Sequence, residues 1–212
     1  ELDNLDLDLR FRISSIEPNL LNDEIISFIS TSKKFVHHFH IPLQSGSDSI
    51  LRLMRRRYDS KLYKSRIEKI NKLMPDACIG VDVIVGFPGE NDDLFLESLN
   101  FLDSLNVSYF HVFTYSERDN THAISLPNIV EPNVRTKRSK LLRLLSSKKK
   151  ASFYERNRGS IQDVLFESEE KNGYIEGFSS NYIRFRRPWD PNIIGTIVKS
   201  MFVDIDSDGF AI

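Results

Sequence analysis

Apolar residues fall into four short runs that alternate with amphipathic stretches as far as Arg158. The runs at 9–14, 35–41, 79–85 and 107–113 are rich in Val, Ile and Phe and have strand length. Between them apolar positions recur at helical spacing. Asn22 or Asp23 can cap a helix over 24–32, and Ser47 one over 50–57 with Ile50, Leu53 and Met54 on one side. Asp59 can cap a third over 61–74, ended by Pro75, and Asp92 or Asp93 a fourth carrying Phe95, Leu99, Leu102 and Leu105. Pro132 suits a first helical turn and opens a long basic helix to about Arg156. Strand–helix–strand alternation predicts an α/β unit with a parallel sheet.

After Gly159 the texture changes. Strand patterns at 161–166, 173–178, 182–186 and 193–203 are separated by turn signals such as Lys171-Asn172-Gly173 and Ser179-Ser180-Asn181. Several short strands at this spacing predict a small antiparallel β-barrel. The domain boundary is expected near Gly159, giving units of 1–158 and 159–212.

The 212 residues can bury a core, and no apolar run reaches the roughly 20 residues of a membrane-spanning helix. A single cysteine, Cys78, cannot close an intrachain disulfide, which points to a reducing, cytoplasmic setting. The chain begins with Glu1, and is expected to be cut from something longer. A net charge of −1 hides segregation. Residues 52–72 hold nine Lys/Arg and two acids, 76–106 seven acids and no base, and 134–158 ten bases against Glu155 alone. Such runs suit a solvated helix face or a polyanion-binding surface.

In parallel α/β sheets ligands bind at the carboxyl ends of the strands. Polar or Gly-Pro loops follow all four strand runs: Ser14-Ser15-Ile16-Glu17-Pro18, Pro42-Leu43-Gln44-Ser45-Gly46-Ser47, Gly86-Phe87-Pro88-Gly89-Glu90, and 114–121. His37, His38 and His40 form a cluster with no carboxylate nearby in sequence, read as packing or rim hydrogen bonding rather than a metal site. Asp82 interrupts an apolar strand and needs a partner, functional or structural.

Several strings carry a resemblance. His40-Ile41-Pro42-Leu43-Gln44-Ser45-Gly46-Ser47-Asp48, Met54-Arg55-Arg56-Arg57-Tyr58, Gly80 to Glu90, and His111-Val112-Phe113-Thr114-Tyr115-Ser116 resemble the radical S-adenosylmethionine methylthiotransferases. The Arg-Arg-Arg-Tyr run and Tyr115-Ser116-Glu117-Arg118 are most similar to the branch acting on threonylcarbamoyladenosine in tRNA. Residues 159–212, with Gly177-Phe178 and Asn181-Tyr182-Ile183, resemble that family's TRAM domain, a small RNA-binding β-barrel.

The resemblance implies the C-terminal half of a partial (β/α) TIM-like barrel followed by a TRAM-like module. It implies an enzyme that adds a 2-methylthio group to an adenosine beside the anticodon, using S-adenosylmethionine and two 4Fe–4S clusters. The family's CxxxCxxC triplet is missing, so the cluster ligands belong to an N-terminal half outside this chain, and the piece alone is expected to be inactive. Cys78 is read as a small buried hydrophobe. For S-adenosylmethionine, Arg56 offers a fork to the carboxylate, Gln44 and Ser45 contacts to ribose or amine, and Asp82 an inward carboxylate. Phe113 and Tyr115 offer an adenine wall, although core packing is the simpler reading of Phe113. For a tRNA anticodon stem-loop, the candidates are Lys148, Lys149 and Lys150 on the basic helix and Tyr182, Arg184 and Arg186 on the module, with Phe185 turned to the core. Isopentenyladenosine in tRNA, a ribosomal protein, or RNA binding without catalysis are the competing readings.

Overall fold

The computed structural model describes residues 2–5 and 9–212. Four parallel strands, β1 (Phe11–Ile13), β2 (Phe35–His40), β3 (Cys78–Val85) and β4 (Tyr109–Thr114), lie side by side in chain order. Helices α1 (Asp23–Thr31), α2 (Asp48–Leu53), α3 (Ser60–Leu73) and α4 (Asp92–Ser104) connect them, and α5 (Pro132–Asn157) follows β4. Local chemistry explains the boundaries. Asn22 and Asp59 accept the backbone N–H groups of Ile25 and Leu62, as capping predicts. The cap of α4 is Asn91 rather than Asp92 or Asp93, which sit in the first turn where the helix dipole favours acids. Helix α2 stops at Leu53 instead of reaching 57, because Arg55 adopts the left-handed region at φ +56°.

Alternation along the strands separates two faces. Phe39, Ile41, Ile79, Val81, Val83, Val85, Phe110 and Val112 pack against Ile26, Ile29, Tyr63, Ile67, Ile70, Leu102 and Leu142 of the helices. Each fully buried aliphatic or aromatic side chain there contributes about 2 kcal/mol. The same alternation turns His38, His40, Asp82, Tyr109, His111 and Phe113 to the other face; Phe153 and Tyr154 of α5 cover Cys78 and Tyr109 at one end of it, and polar residues collect on the rest.

The second unit is an antiparallel sheet of β5 (Ile161–Lys171), β6 (Tyr174–Ser179), β7 (Arg184–Pro188) and β8 (Ile197–Met201), in the order β7–β6–β5–β8. The expected closed barrel is corrected to a sheet whose edge strands β7 and β8 do not pair. Strand β8 ends at Met201, and among the described residues isolated bridges of Ala211 to Phe185 and Ile205 cross the gap. Strand β5 runs past 166 because Asn172 and Gly173, both at positive φ, make a tight hairpin that extends the ladder to Lys171 and Tyr174. Strand β7 starts at 184 rather than 182, because Tyr182 sits at φ +64°.

Helix α5 fastens the units together: Leu142 lies in the first core, while Phe153 and Tyr154 lie in the second with Phe166, Ile183, Phe185 and Phe202. Cys78 belongs to that second core, and burial pushes its thiol up to about 12. Asn181 completes the seam, donating to the Asp76 carbonyl and to Asn157 Oδ1.

Candidate functional site

A cavity of about 650 Å³ opens at the carboxyl ends of the parallel strands, and Gln44, Arg56, Asp82, Phe113 and Tyr115 all line it. Five of the six side chains expected at a cofactor site are therefore brought together. Ser45 is the exception. It is buried, its Oγ pairs with Ser98 Oγ at 2.9 Å, and Ser98 Oγ also accepts the Gly46 N–H at 2.6 Å. Its hydroxyl is spent fastening the Gln-Ser-Gly-Ser loop to α4. A Cβ on Gly46 would lie 2.8 Å from the Ser98 Cα, so this close approach demands glycine.

Gln44 holds the strained φ of +75° through main-chain bonds on both sides: its N–H donates to the Asp82 carbonyl and its carbonyl accepts from Ile84. Phe113 is 52% exposed, so the core-packing reading gives way to a wall of the cavity. Tyr115 meets Phe87 edge-on at 5.2 Å and lies under the Arg135 guanidinium at 5.3 Å. Arg56 approaches Glu17 at 3.6 Å. Its Nε and the Tyr115 hydroxyl are buried without a partner among the described residues, an unfavourable state that a polar ligand would relieve.

The walls are held by residues that sequence reasoning missed. Arg138 Nη1 donates to Glu90 Oε1 at 2.7 Å, and Glu90 Oε1 accepts the Gly86 N–H at 2.8 Å, so a buried ion pair locks the Gly-Phe-Pro-Gly-Glu loop. Burial raises the Glu90 carboxyl against the opposing pull of Gly86 and Arg138. Arg135 donates to the Val130 and Tyr115 carbonyls and to Glu117 Oε1. The signal was a heptad-like return of Arg135, Arg138 and Leu142 to one helix face, masked by reading α5 as a solvated basic surface.

That surface is smaller than its charge suggested. Lys149 Nζ donates to the Asp103 and Leu105 carbonyls at the end of α4, and Arg143 to the Val112 carbonyl. Lys148 and Lys150 remain exposed. On the second unit Phe185 is buried and Arg184 exposed, as the alternation predicts. Arg186 is instead half-buried, paired with Asp206 and Asp208 and seated 3.9 Å from the centre of the Phe210 ring. Tyr182 is also diverted. It stacks on Phe178 at 4.5 Å and on His38 at 4.2 Å, with Arg12 above its ring, so it plugs the seam. A second cavity of about 460 Å³ opens there, between Arg12, His38, Lys150, Tyr182 and Arg184.

The histidines separate. His38 Nε2 meets the Tyr109 hydroxyl at 3.1 Å, and burial, with help from Arg12, pushes its ring down to about 3. His40 bridges the Ser14 carbonyl and Asp82 Oδ1, both at 2.8 Å. The carboxylate that looked absent in sequence arrives from the neighbouring strand.

Residues 2–102 match the model of the radical SAM superfamily. The chain is 40% identical over 195 residues to the threonylcarbamoyladenosine tRNA methylthiotransferase MtaB of Bacillus subtilis (strain 168), covering 90% of this chain and 43% of that protein. It is 37% identical over 191 residues to the tRNA-2-methylthio-N(6)-dimethylallyladenosine synthase of Vesicomyosocius okutanii subsp. Calyptogena okutanii (strain HA), covering 90% and 43%. A second protein named MtaB, from Aquifex aeolicus (strain VF5), is 36% identical over 176 residues, covering 83% and 42%. The chain thus spans about two-fifths of the length of the curated relatives it matches.

Proposed function

We propose, from a chain whose residues 2–102 match the radical SAM superfamily model, that it is part of a transferase that methylthiolates threonylcarbamoyladenosine in tRNA. The observation that carries this reading is the convergence of Gln44, Arg56, Asp82, Phe113 and Tyr115 on one cavity at the carboxyl ends of the strands.

The cavity fits S-adenosylmethionine on its own chemistry. Arg56 supplies a positive fork, with an Nε lacking any protein acceptor, for the methionyl carboxylate. Asp82 and Gln44 supply acceptors for the amine and ribose hydroxyls. Phe87, Phe113 and Tyr115 supply an aromatic slot for the adenine. When bound, S-adenosylmethionine supplies the radical and methyl chemistry. The residues of this chain bind it, fix its orientation, and keep water from the slot. Iron–sulfur clusters do not fit the residues here, since one buried thiol cannot hold them. Their ligands belong to the part of the protein outside this chain.

A TRAM-like, RNA-binding role is supported by exposed Arg184 of the second unit, which also pairs with Glu176, and by exposed Lys148 and Lys150 of α5, the latter over the Tyr154 ring. Threonylcarbamoyladenosine is favoured over dimethylallyladenosine by the similarity of the Arg55-Arg56-Arg57-Tyr58 run and by the 40% relative.

Equilibrium binding of S-adenosylmethionine to the complete protein tests the site. Arg56→Ala should weaken binding by about 1.5–3 kcal/mol, the range for a bond to a charged group. Arg55→Ala, at an exposed position, should change it little. Equal effects at both positions, or none, would remove Arg56 from the site.

A further inference from the structure

Three side chains meet on the polar face of the first sheet: His40 of β2, Asp82 of β3 and His111 of β4. One ligating atom from each lies within 4.8 Å of the others. The register explains the meeting. Asp82 pairs with His111 on the next strand, and His40 pairs with Gly80, two residues before Asp82 and on the same face.

The hydrogen bonds of His40 leave one contact that needs a proton or a cation. Its Nδ1 faces the Ser14 carbonyl at 2.8 Å, and a carbonyl only accepts, so Nδ1 carries a proton. Its Nε2 faces Asp82 Oδ1, also at 2.8 Å. A neutral ring protonated on Nδ1 presents a lone pair there, directly against a carboxylate oxygen. This contact needs a proton on Nε2, a proton on the carboxyl, or a cation between the two atoms.

The surroundings favour the cation. A ring whose other nitrogen donates to a backbone carbonyl is the usual arrangement of a metal-ligating histidine. Two ligands about 2.0–2.1 Å from one tetrahedral ion lie about 3.4 Å apart, so His40 and Asp82, at 2.8 Å, need to part by only about half an ångström to admit one. His111 is exposed and meets the His40 ring edge-on at 5.6 Å, so it can swing a nitrogen in without disturbing the core.

We propose that His40, Asp82 and His111 bind one divalent first-row transition-metal ion of the Zn²⁺ or Co²⁺ class. Two imidazoles and a carboxylate suit such borderline ions, and three protein ligands leave further positions open. The site shares Asp82 with the proposed cofactor contacts, whereas His40 and His111 lie outside that cavity, so metal binding measured without S-adenosylmethionine separates the two readings.

Titration of the chain with Co²⁺, read by visible absorption and reversed by Zn²⁺, tests it. The expected result is one saturable equivalent. His111→Ala and Asp82→Asn, both able to fold because one is exposed and the other isosteric, should each weaken binding by about tenfold or more. His37→Gln, on the opposite face of β2, should leave it unchanged, with folding of all variants checked by circular dichroism. Absence of saturable binding, indifference to the His111 and Asp82 substitutions, or equal weakening by His37→Gln would overturn the site.

Discussion

Removing the Arg138 guanidinium is the sharpest test of how the cavity is built. Arg138 and Glu90 are 6% and 2% exposed at their side chains, and Arg138 Nη1 also reaches the Glu90 carbonyl at 2.9 Å. The link to Asp92 adds little, because that carboxylate is almost fully exposed. In Arg138→Ala the Glu90 carboxylate keeps only the Gly86 N–H as a partner. Breaking a buried pair on one side costs about 3–5 kcal/mol. Protonation limits the loss at the low end, since burial already raises this carboxyl. Glu90→Gln keeps an acceptor for Gly86 and should cost about 1 kcal/mol. Urea unfolding followed by far-UV circular dichroism reads the difference. With a slope of about 2 kcal/mol per molar, a loss of about 3 kcal/mol moves the midpoint by about 1.5 M. Trp189, the single tryptophan, lies in the second unit and reports on it separately by fluorescence. If Arg138→Ala shifts the dichroism midpoint no more than the exposed Lys140→Ala, the pair does not hold the loop.

Three further outcomes follow from the same geometry. The folded-state value of His38 near 3 lies far below the ordinary 6.5 or so, so the unfolded chain takes up that proton first. Stability should therefore hold above pH 6.5 and fall by about 1 kcal/mol per unit as pH drops below it, and His38→Gln should flatten this slope in urea midpoints measured from pH 7.5 to 5. Lys149→Ala should lower stability without changing tRNA affinity, because its ammonium is spent on α4 carbonyls. Replacing Lys148 and Lys150 together should flatten the dependence of log affinity on log salt by about 2 units in filter binding, and an unchanged slope would take α5 off the RNA surface.

The strands and helices of the first unit were legible because each has one dominant local signal: a β-branched or aromatic run, a cap, or a Pro at the first turn. The cavity was legible through its loops, since the segments after β2, β3 and β4 converge on one rim, and the loop after β1 reaches it only through Glu17 beside Arg56. What stayed hidden depends on three-dimensional pairing. Ser45 looked like a ligand contact until Ser98 arrived from α4. Asp82 and His40 sit 42 positions apart and meet only through the sheet register. The ten bases of 134–158 looked like a surface because sequence does not show that α5 turns Arg135 and Arg138 inward. Closure of the second sheet failed for a similar reason, since turn signals fix hairpins but not whether edge strands reach each other.

The most direct measurement is mass spectrometry of tRNA nucleosides from cells lacking the gene for the complete protein. The account predicts that 2-methylthio-threonylcarbamoyladenosine disappears while its unmodified precursor accumulates, and that wild type restores it but Arg56→Ala does not. An unchanged nucleoside, or loss of the dimethylallyladenosine derivative in its place, would contradict it.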